Sequence, residues 1–247
     1  MYHSRWADNR DIPTGRAPRE CGEEGGNMRI GISVAVAVWM LAVLNPLYLR
    51  MKRGPHRAAA IAVKAACTLS AAGLCLVGCL RGGEAADWWL LAGLLFCTLG
   101  DVVLCLHFVG GMAAFLMGHL AYIAAFLRLA PPLNPWSIPA FLLLAGGLVC
   151  LFLPSVSQMG RDLPAYCVYG GVIAVMLSLA VPLWAGLPDG AWGRGLLSAA
   201  GAALFVFSDT LLAWNLFHTS SKAADAVSLT AYYSGQFLLA ASVFLFR

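Results

Sequence analysis

The chain has 247 residues, of which 60% are hydrophobic and only 11% charged, with a net charge of +4. Soluble domains carry about 25% charged residues, so a mean hydropathy of +0.77 leaves too little polar surface to coat a water-soluble fold and excludes one. The small positive charge suits the cytoplasmic loops of a membrane protein and is too weak for a nucleic-acid surface.

Residues 1–27 are polar, mixed in charge and without apolar periodicity, and are expected to be a disordered tail. The stretch EEGGNM would be encoded by purine-rich codons resembling a bacterial ribosome-binding site. That makes Met28 a candidate natural start and 28–247 the membrane domain, which N-terminal sequencing of the natural protein would test. From Met28 on, apolar runs alternate with short polar breaks. The pattern predicts an all-α polytopic membrane bundle of eight transmembrane helices, roughly 30–49, 58–80, 88–107, 111–130, 136–153, 163–184, 195–217 and 227–246. Each approaches the ~20 residues that cross a bilayer core. Breaks such as RMKRGPHR, APPLNP and AGLPDGAWGRG carry turn residues, and Trp88, Trp89, Trp136, Trp184 and Trp192 cluster at run ends, as interfacial belts do. Arg50, Lys52, Arg53 and Arg57 crowd the first connection, which the positive-inside bias assigns to the cytoplasm, leaving both termini outside. A faint repeat relates the third and seventh spans: Ala92-Gly93 precedes Asp101 as Ala200-Gly201 precedes Asp209, and Leu104 and Leu212 follow them.

Of the eight cysteines, seven fall within apolar runs, with no CxxC pair and no zinc-like Cys/His spacing. They read as small buried hydrophobes, and no metal or other cofactor is expected.

The polar residues inside the spans sort by helix parity. Asp101 and Asp209 lie past the middle of the third and seventh spans. Lys64 lies early in the second, His119 and Tyr122 near the middle of the fourth, Tyr166 and Tyr169 at the start of the sixth, and Tyr232, Tyr233 and Gln236 in the first half of the eighth. All fall toward one side of the membrane or close to its midplane, which one polar cavity open to that side would produce. The pairs His119/Tyr122, Tyr166/Tyr169 and Tyr233/Gln236 are each three apart and share a helix face. A lone charged Asp near a helix centre costs about 2.5–3.5 kcal/mol, so both carboxylates need partners, and Lys64, His119 and the tyrosines are available. Two carboxyls in one such cavity can hold different protonation states and act as general acid and general base.

The plainer reading makes Asp101 and Asp209 interhelical glue, Lys64 a snorkelling side chain and His119 a hydrogen-bonded core histidine. Tyr166, Tyr169, Tyr232 and Gln236 are weak signals one by one. Ser208, beside Asp209, reads as a hydrogen-bonding neighbour, because no GxSxG elbow surrounds it. A proton-coupled transporter also uses paired intramembrane Asp, His and Lys, but calls for helices broken near the midplane, whereas Pro46, Pro154 and Pro182 lie near span ends. A non-catalytic lipid-binding protein needs no charged cavity.

The motifs LGDVVL, GHLAY, LFVFSDTLLA and AYYSGQFLL, in that order, resemble those of the YhhN-like lysoplasmalogenase family. The likeness spans 30–246 and includes the eight-helix count, the lysine of the second span and the tyrosine of LPAYCVY. The chain departs from the family pattern at Ala65, where a proline often follows that lysine. The resemblance implies a membrane hydrolase that cleaves the vinyl ether bond of a lysophospholipid substrate, lysoplasmalogen, with Asp101 and Asp209 as the catalytic pair. The chemistry suits two carboxyls: acid protonates the alkene to an oxocarbenium ion that water then captures, as in two-carboxylate glycosidases, with no metal required. Lys64, His119 and Tyr233 are expected to bind phosphate or hold the carboxylates. Membrane lipids are the expected surroundings, and a bacterial inner membrane is expected over the endoplasmic reticulum.

Overall fold

The computed structural model describes residues 18–129, 134–187, 192–218 and 221–247, with only the backbone described for 18–24 and 185–186. These residues contain helices and no strand. Helix α1 (Pro18–Val38) passes through a π-helical turn (Trp39–Leu44) into α2 (Asn45–Met51). Asn45 N–H reaches back five residues to the Met40 carbonyl, because Pro46, just beyond, has no N–H with which to continue the ordinary ladder. Of the expected tail over 1–27, the structure describes residues 18–27. From Pro18 it is already helical, since a helix nucleated by an apolar run extends at one hydrogen bond per added residue. Residues 1–17 lie outside the described residues.

There follow α3 (Arg57–Leu80), α4 (Ala85–Leu104), α5 (Phe108–Leu129), α6 (Ser137–Phe152), α7 (Val156–Met159), α8 (Leu163–Ala180), α9 (Leu183–Gly186), α10 (Trp192–Phe217) and α11 (Lys222–Phe244). Six stretches are long and apolar enough to cross a membrane: Gly25–Met51, Arg57–Leu80, Ala85–Leu104, Phe108–Leu129, Ser137–Ala180 and Trp192–Phe217. The chain is a multi-pass membrane protein, its apolar side chains turned outward, as with Leu80, Trp136, Leu142, Leu143 and Val149. The expected fifth and sixth spans fall together in the 44-residue stretch Ser137–Ala180. That stretch is divided by 3₁₀ turns at Leu153–Ser155 and Gly160–Asp162 and by Gly160 at φ +54°, and α6 packs back against α8. The expected eighth span is α11, whose Ser, Thr, Tyr and Gln residues dilute its apolar character because it is the central helix, packed against α2, α3, α4 and α10.

Two hairpins close most tightly, α4 on α5 and α10 on α11. Small residues permit this. Gly93 lies under the Tyr122 ring, and a Cβ on Gly201 would sit 2.9 Å from the Gly235 carbonyl oxygen. Ion pairs gather the helix ends. At one end Asp87, fully buried, takes the Arg194 guanidinium on Oδ1 and Arg247 Nε on Oδ2 at 2.8 Å, while Arg247 also reaches Glu84 Oε1 at 2.9 Å. Glu84 and Asp87 form the capping box of α4. At the other end Lys52 Nζ meets Asp225 Oδ2 at 2.8 Å, and Arg57 donates to the Cys105 carbonyl at the end of α4.

Candidate active site

Asp101 sits near the end of α4 with no exposed surface. Its Oδ2 accepts from Thr68 Oγ1 at 2.6 Å and from Tyr232 Oη at 2.9 Å, and Lys64 Nζ stands 3.1 Å from Oδ1. Lys64 and Thr68 come from one face of α3, four residues apart, and Tyr232 comes from α11. The Lys64 ammonium also lies 5.9 Å from the Tyr48 ring centroid. Two hydroxyl donors and an ammonium in ion-pair contact thus surround one buried carboxylate.

Asp209, on α10, heads a second cluster. Its Oδ2 accepts from Tyr169 Oη at 2.6 Å and lies 3.2 Å from His119 Nε2, while His119 Nε2 is 3.0 Å from Tyr169 Oη. The other imidazole nitrogen, Nδ1, is 3.2 Å from Met176 Sδ. His119 has no exposed surface, and the Asp209 side chain retains 11%.

That residual exposure opens onto a cavity of ≈ 430 Å³ lined by α5, α6, α8 and α10, within the range of small-molecule sites. Its walls are Phe108, Met112, Leu148, Phe152, Ile173 and similar residues, and its polar lining is Asp209, Thr210, Tyr166 and Tyr169. Asp209 lies eight residues inside Phe217 on α10, about 12 Å below the helix end at 1.5 Å per residue.

The single shared cavity expected for the two carboxylates is corrected. Asp101 and Lys64 do not line this cavity. Phe205 packs edge-on against a ring of each cluster, His119 at 4.6 Å and Tyr232 at 5.2 Å between centroids, and Phe115 lies 5.9 Å from Tyr232. These aromatics fill the space between the acids, and among the described residues no hydrogen bond or ion pair joins the two clusters.

The other expected residues divide among separate tasks. Tyr122 donates to Gln236 Oε1 at 2.7 Å and packs beside His119, linking α5 to α11. Tyr233 is fully buried next to Tyr232. Ser208 faces Ser228 at 3.3 Å and belongs to the α10–α11 seam. Tyr166 stacks edge-on with Phe217 at 5.4 Å on the cavity wall. Three contributors escaped sequence reasoning. Thr68 had a usable signal, standing one turn from Lys64 on the same face. Met176 and Phe205 had none, being apolar residues in apolar helices.

This all-helical arrangement, with one sealed carboxylate and one lining an apolar cavity, defines a multi-pass membrane protein with an acidic group facing that cavity. The YhhN family description matches residues 59–243, and the chain belongs to that family. It is 38% identical to the pig protein named lysoplasmalogenase TMEM86B over 175 residues, covering 69% of this chain and 71% of the relative. It is 28% identical to the Mycobacterium bovis protein named lysoplasmalogenase over 169 residues, 64% of this chain and 61% of the relative. It is 27% identical to the membrane protein YhhN of Escherichia coli O157:H7 over 165 residues, 66% of this chain and 77% of the relative. No solved structure matches the chain.

Proposed function

We propose that this protein is a membrane hydrolase that cleaves the vinyl ether bond of lysoplasmalogen, releasing a fatty aldehyde and glycerophosphoethanolamine or glycerophosphocholine. One observation carries the reading: a carboxyl group, Asp209, held by Tyr169 and His119 at the inner end of an apolar cavity. The names of the pig and mycobacterial relatives support the same substrate. The chain crosses a bacterial plasma membrane eight times, with α6 and α8 as separate crossings and α11 as the last.

The alkenyl chain lies in the cavity and the vinyl ether at Asp209. The Asp209 carboxyl gives its proton to the distal alkene carbon, and the ether oxygen shares its lone pair with the resulting cation. Water adds to the carbon bonded to that oxygen and returns a proton to the carboxylate. The hemiacetal then collapses: its hydroxyl proton passes to the glycerol oxygen, the carbon–oxygen bond breaks, and the aldehyde forms. One water is consumed and the acid is restored. A dry cavity strengthens each electrostatic contact to the cation and excludes competing water.

Asp101 acts as a positioning residue. Its bonds to Lys64, Thr68 and Tyr232 lock α11 against α3 and α4, and the Tyr232 ring backs Phe205 and Phe115, the wall behind the reacting group. A carrier would need helices interrupted at the level of the acids, and α10 runs unbroken on both sides of Asp209.

The test is direct. Purified protein given lysoplasmalogen should release aldehyde whose oxygen comes from labelled water, and Asp209→Asn should release it at least about a hundredfold more slowly. Full turnover by that variant would end the mechanism.

A further inference from the structure

The two ring nitrogens of His119 face different chemistry. Nδ1 points at the Met176 thioether, 3.2 Å away, a sulfur that accepts a hydrogen bond and has no proton to give. Nε2 points into a triangle with Tyr169 Oη at 3.0 Å and Asp209 Oδ2 at 3.2 Å, whose own separation is 2.6 Å. The Tyr169 hydroxyl supplies one proton, donated to Asp209. The contact between Nε2 and Oδ2 needs another.

Protons can be counted against these contacts. If the single proton of a neutral imidazole sat on Nε2, then Nδ1 would aim a bare lone pair at the lone pairs of the sulfur. That contact would have no solvent to relieve it, because His119 and Met176 are both fully buried. If the proton sits on Nδ1, the sulfur accepts it and Nε2 is left with a lone pair. Nε2 and Asp209 Oδ2 can then stand 3.2 Å apart only with a further proton between them. A proton on Nδ1, with a further proton shared among Nε2, Asp209 Oδ2 and the Tyr169 hydroxyl, satisfies every partner of the ring.

We infer that Met176 is a positioning residue for the proposed hydrolysis: its sulfur holds the imidazole proton on Nδ1, so that Asp209 and His119 share one transferable proton. The inference rests on the reading of Asp209 as the acid. The loaded pair carries no net charge, which suits a site inside a membrane. In the reaction the shared proton leaves Asp209 Oδ2 for the distal alkene carbon, leaving a carboxylate beside a neutral imidazole. The captured water returns a proton to Oδ2 or Nε2, and the proton on Nδ1 never moves. Met176 lies on α8 seven residues beyond Tyr169, two turns along the same face, so one helix supplies both the donor to Asp209 and the acceptor for His119. The other groups around the ring are Tyr122 on its own helix and Phe205 on α10.

The experiment compares the full-length protein in detergent with Met176→Leu, a volume-conserving change of the kind packed cores tolerate, and with Met176→Gln, whose Oε1 restores an acceptor. Nitrogen-15 spectra of histidine-labelled protein, with His119 assigned by its loss in His119→Gln, should show Nδ1 protonated in the parent. Infrared spectra should show a carboxylic-acid band that disappears in Asp209→Asn. Met176→Leu should lose the uniform Nδ1-protonated signal and weaken the acid band. It should also move the alkaline limb of the activity profile about one pH unit lower, about tenfold in rate on that limb, while Met176→Gln should recover all three. A parent protein with neutral His119 protonated on Nε2, or a Met176→Leu variant unchanged in all three readouts, would overturn the inference. If the two spectra behave as expected but no aldehyde is ever released, the proton pair stands and the lysoplasmalogen reading falls.

Discussion

Lys64 and Asp101 offer the most demanding test of how the bundle is held. The ammonium and the carboxylate lie 3.1 Å apart with side-chain exposures of 6% and 1%. Replacing Lys64 by Met leaves Asp101 buried with only the Thr68 and Tyr232 hydroxyls, and removing one partner of a buried pair costs about 3–5 kcal/mol. For a chain of this size that corresponds to roughly 6–20 °C in Tm, at about 2–4 °C per kcal/mol. Asp101→Asn keeps an oxygen for Thr68 and Tyr232 but strands the ammonium, and should cost a similar amount. The double variant Lys64→Met with Asp101→Asn contains no unpaired charge and should be markedly more stable than the sum of the single losses, with a coupling of about 2 kcal/mol or more. Thermal unfolding in detergent, followed by circular dichroism, reads all four proteins. Strictly additive losses would show that the two groups are solvated separately and would remove the argument that this pair locks α3, α4 and α11 together.

Asp209→Asn retains an acceptor for Tyr169 and should leave Tm within a few degrees while lowering turnover by about 10²–10⁴, the usual yield of a general acid; a large Tm loss would assign the residue to structure. Gly170 lines the cavity and a Cβ there meets nothing within 4 Å, so Gly170→Leu should fold normally yet lower kcat/KM for long-chain substrate by narrowing the cavity, and unchanged kinetics would place the chain elsewhere. The Arg247 guanidinium beside Glu84 holds that carboxyl below its ordinary value. The stability it contributes is therefore full above the unfolded value of about 4.5 and lost as pH falls below it. Over that window Glu84→Gln should flatten the decline of Tm, and parallel curves would show that the exposed pair contributes nothing.

Much of this was legible from residue type alone. A carboxylate, an imidazole and an ammonium inside apolar runs stand out because burying them is expensive, and Asp101, Asp209, His119 and Lys64 each proved to be in a specific polar contact. Their grouping was not legible. Helix parity placed them at similar depth, but depth does not say which helices are neighbours, and Phe205 separates the acids without any polar mark of its own. The break between α6 and α8, by contrast, was legible: Pro154, Gly160, Arg161 and Asp162 interrupt the apolar run where the fifth and sixth spans were expected to part. The last span, expected over 227–246, is α11, but its place at the centre of the bundle was not legible, because residue type does not say which neighbours its polar side chains face. Asp87 could have been read as a helix cap, yet its arginine partners lie more than a hundred residues downstream, where periodicity carries no information.

Helix α6 buries almost nothing of itself, with Ser137 alone fully covered, and it leans on α8. It is nonetheless the outer wall of the cavity through Ala145, Leu148, Val149 and Phe152. The partition between the reacting group and the surrounding acyl chains is thus a single, lightly moored helix. An aldehyde freed in this cavity, itself an oil, is expected to leave past α6 into the leaflet, which would put its next reaction in the membrane and not in the water beside it.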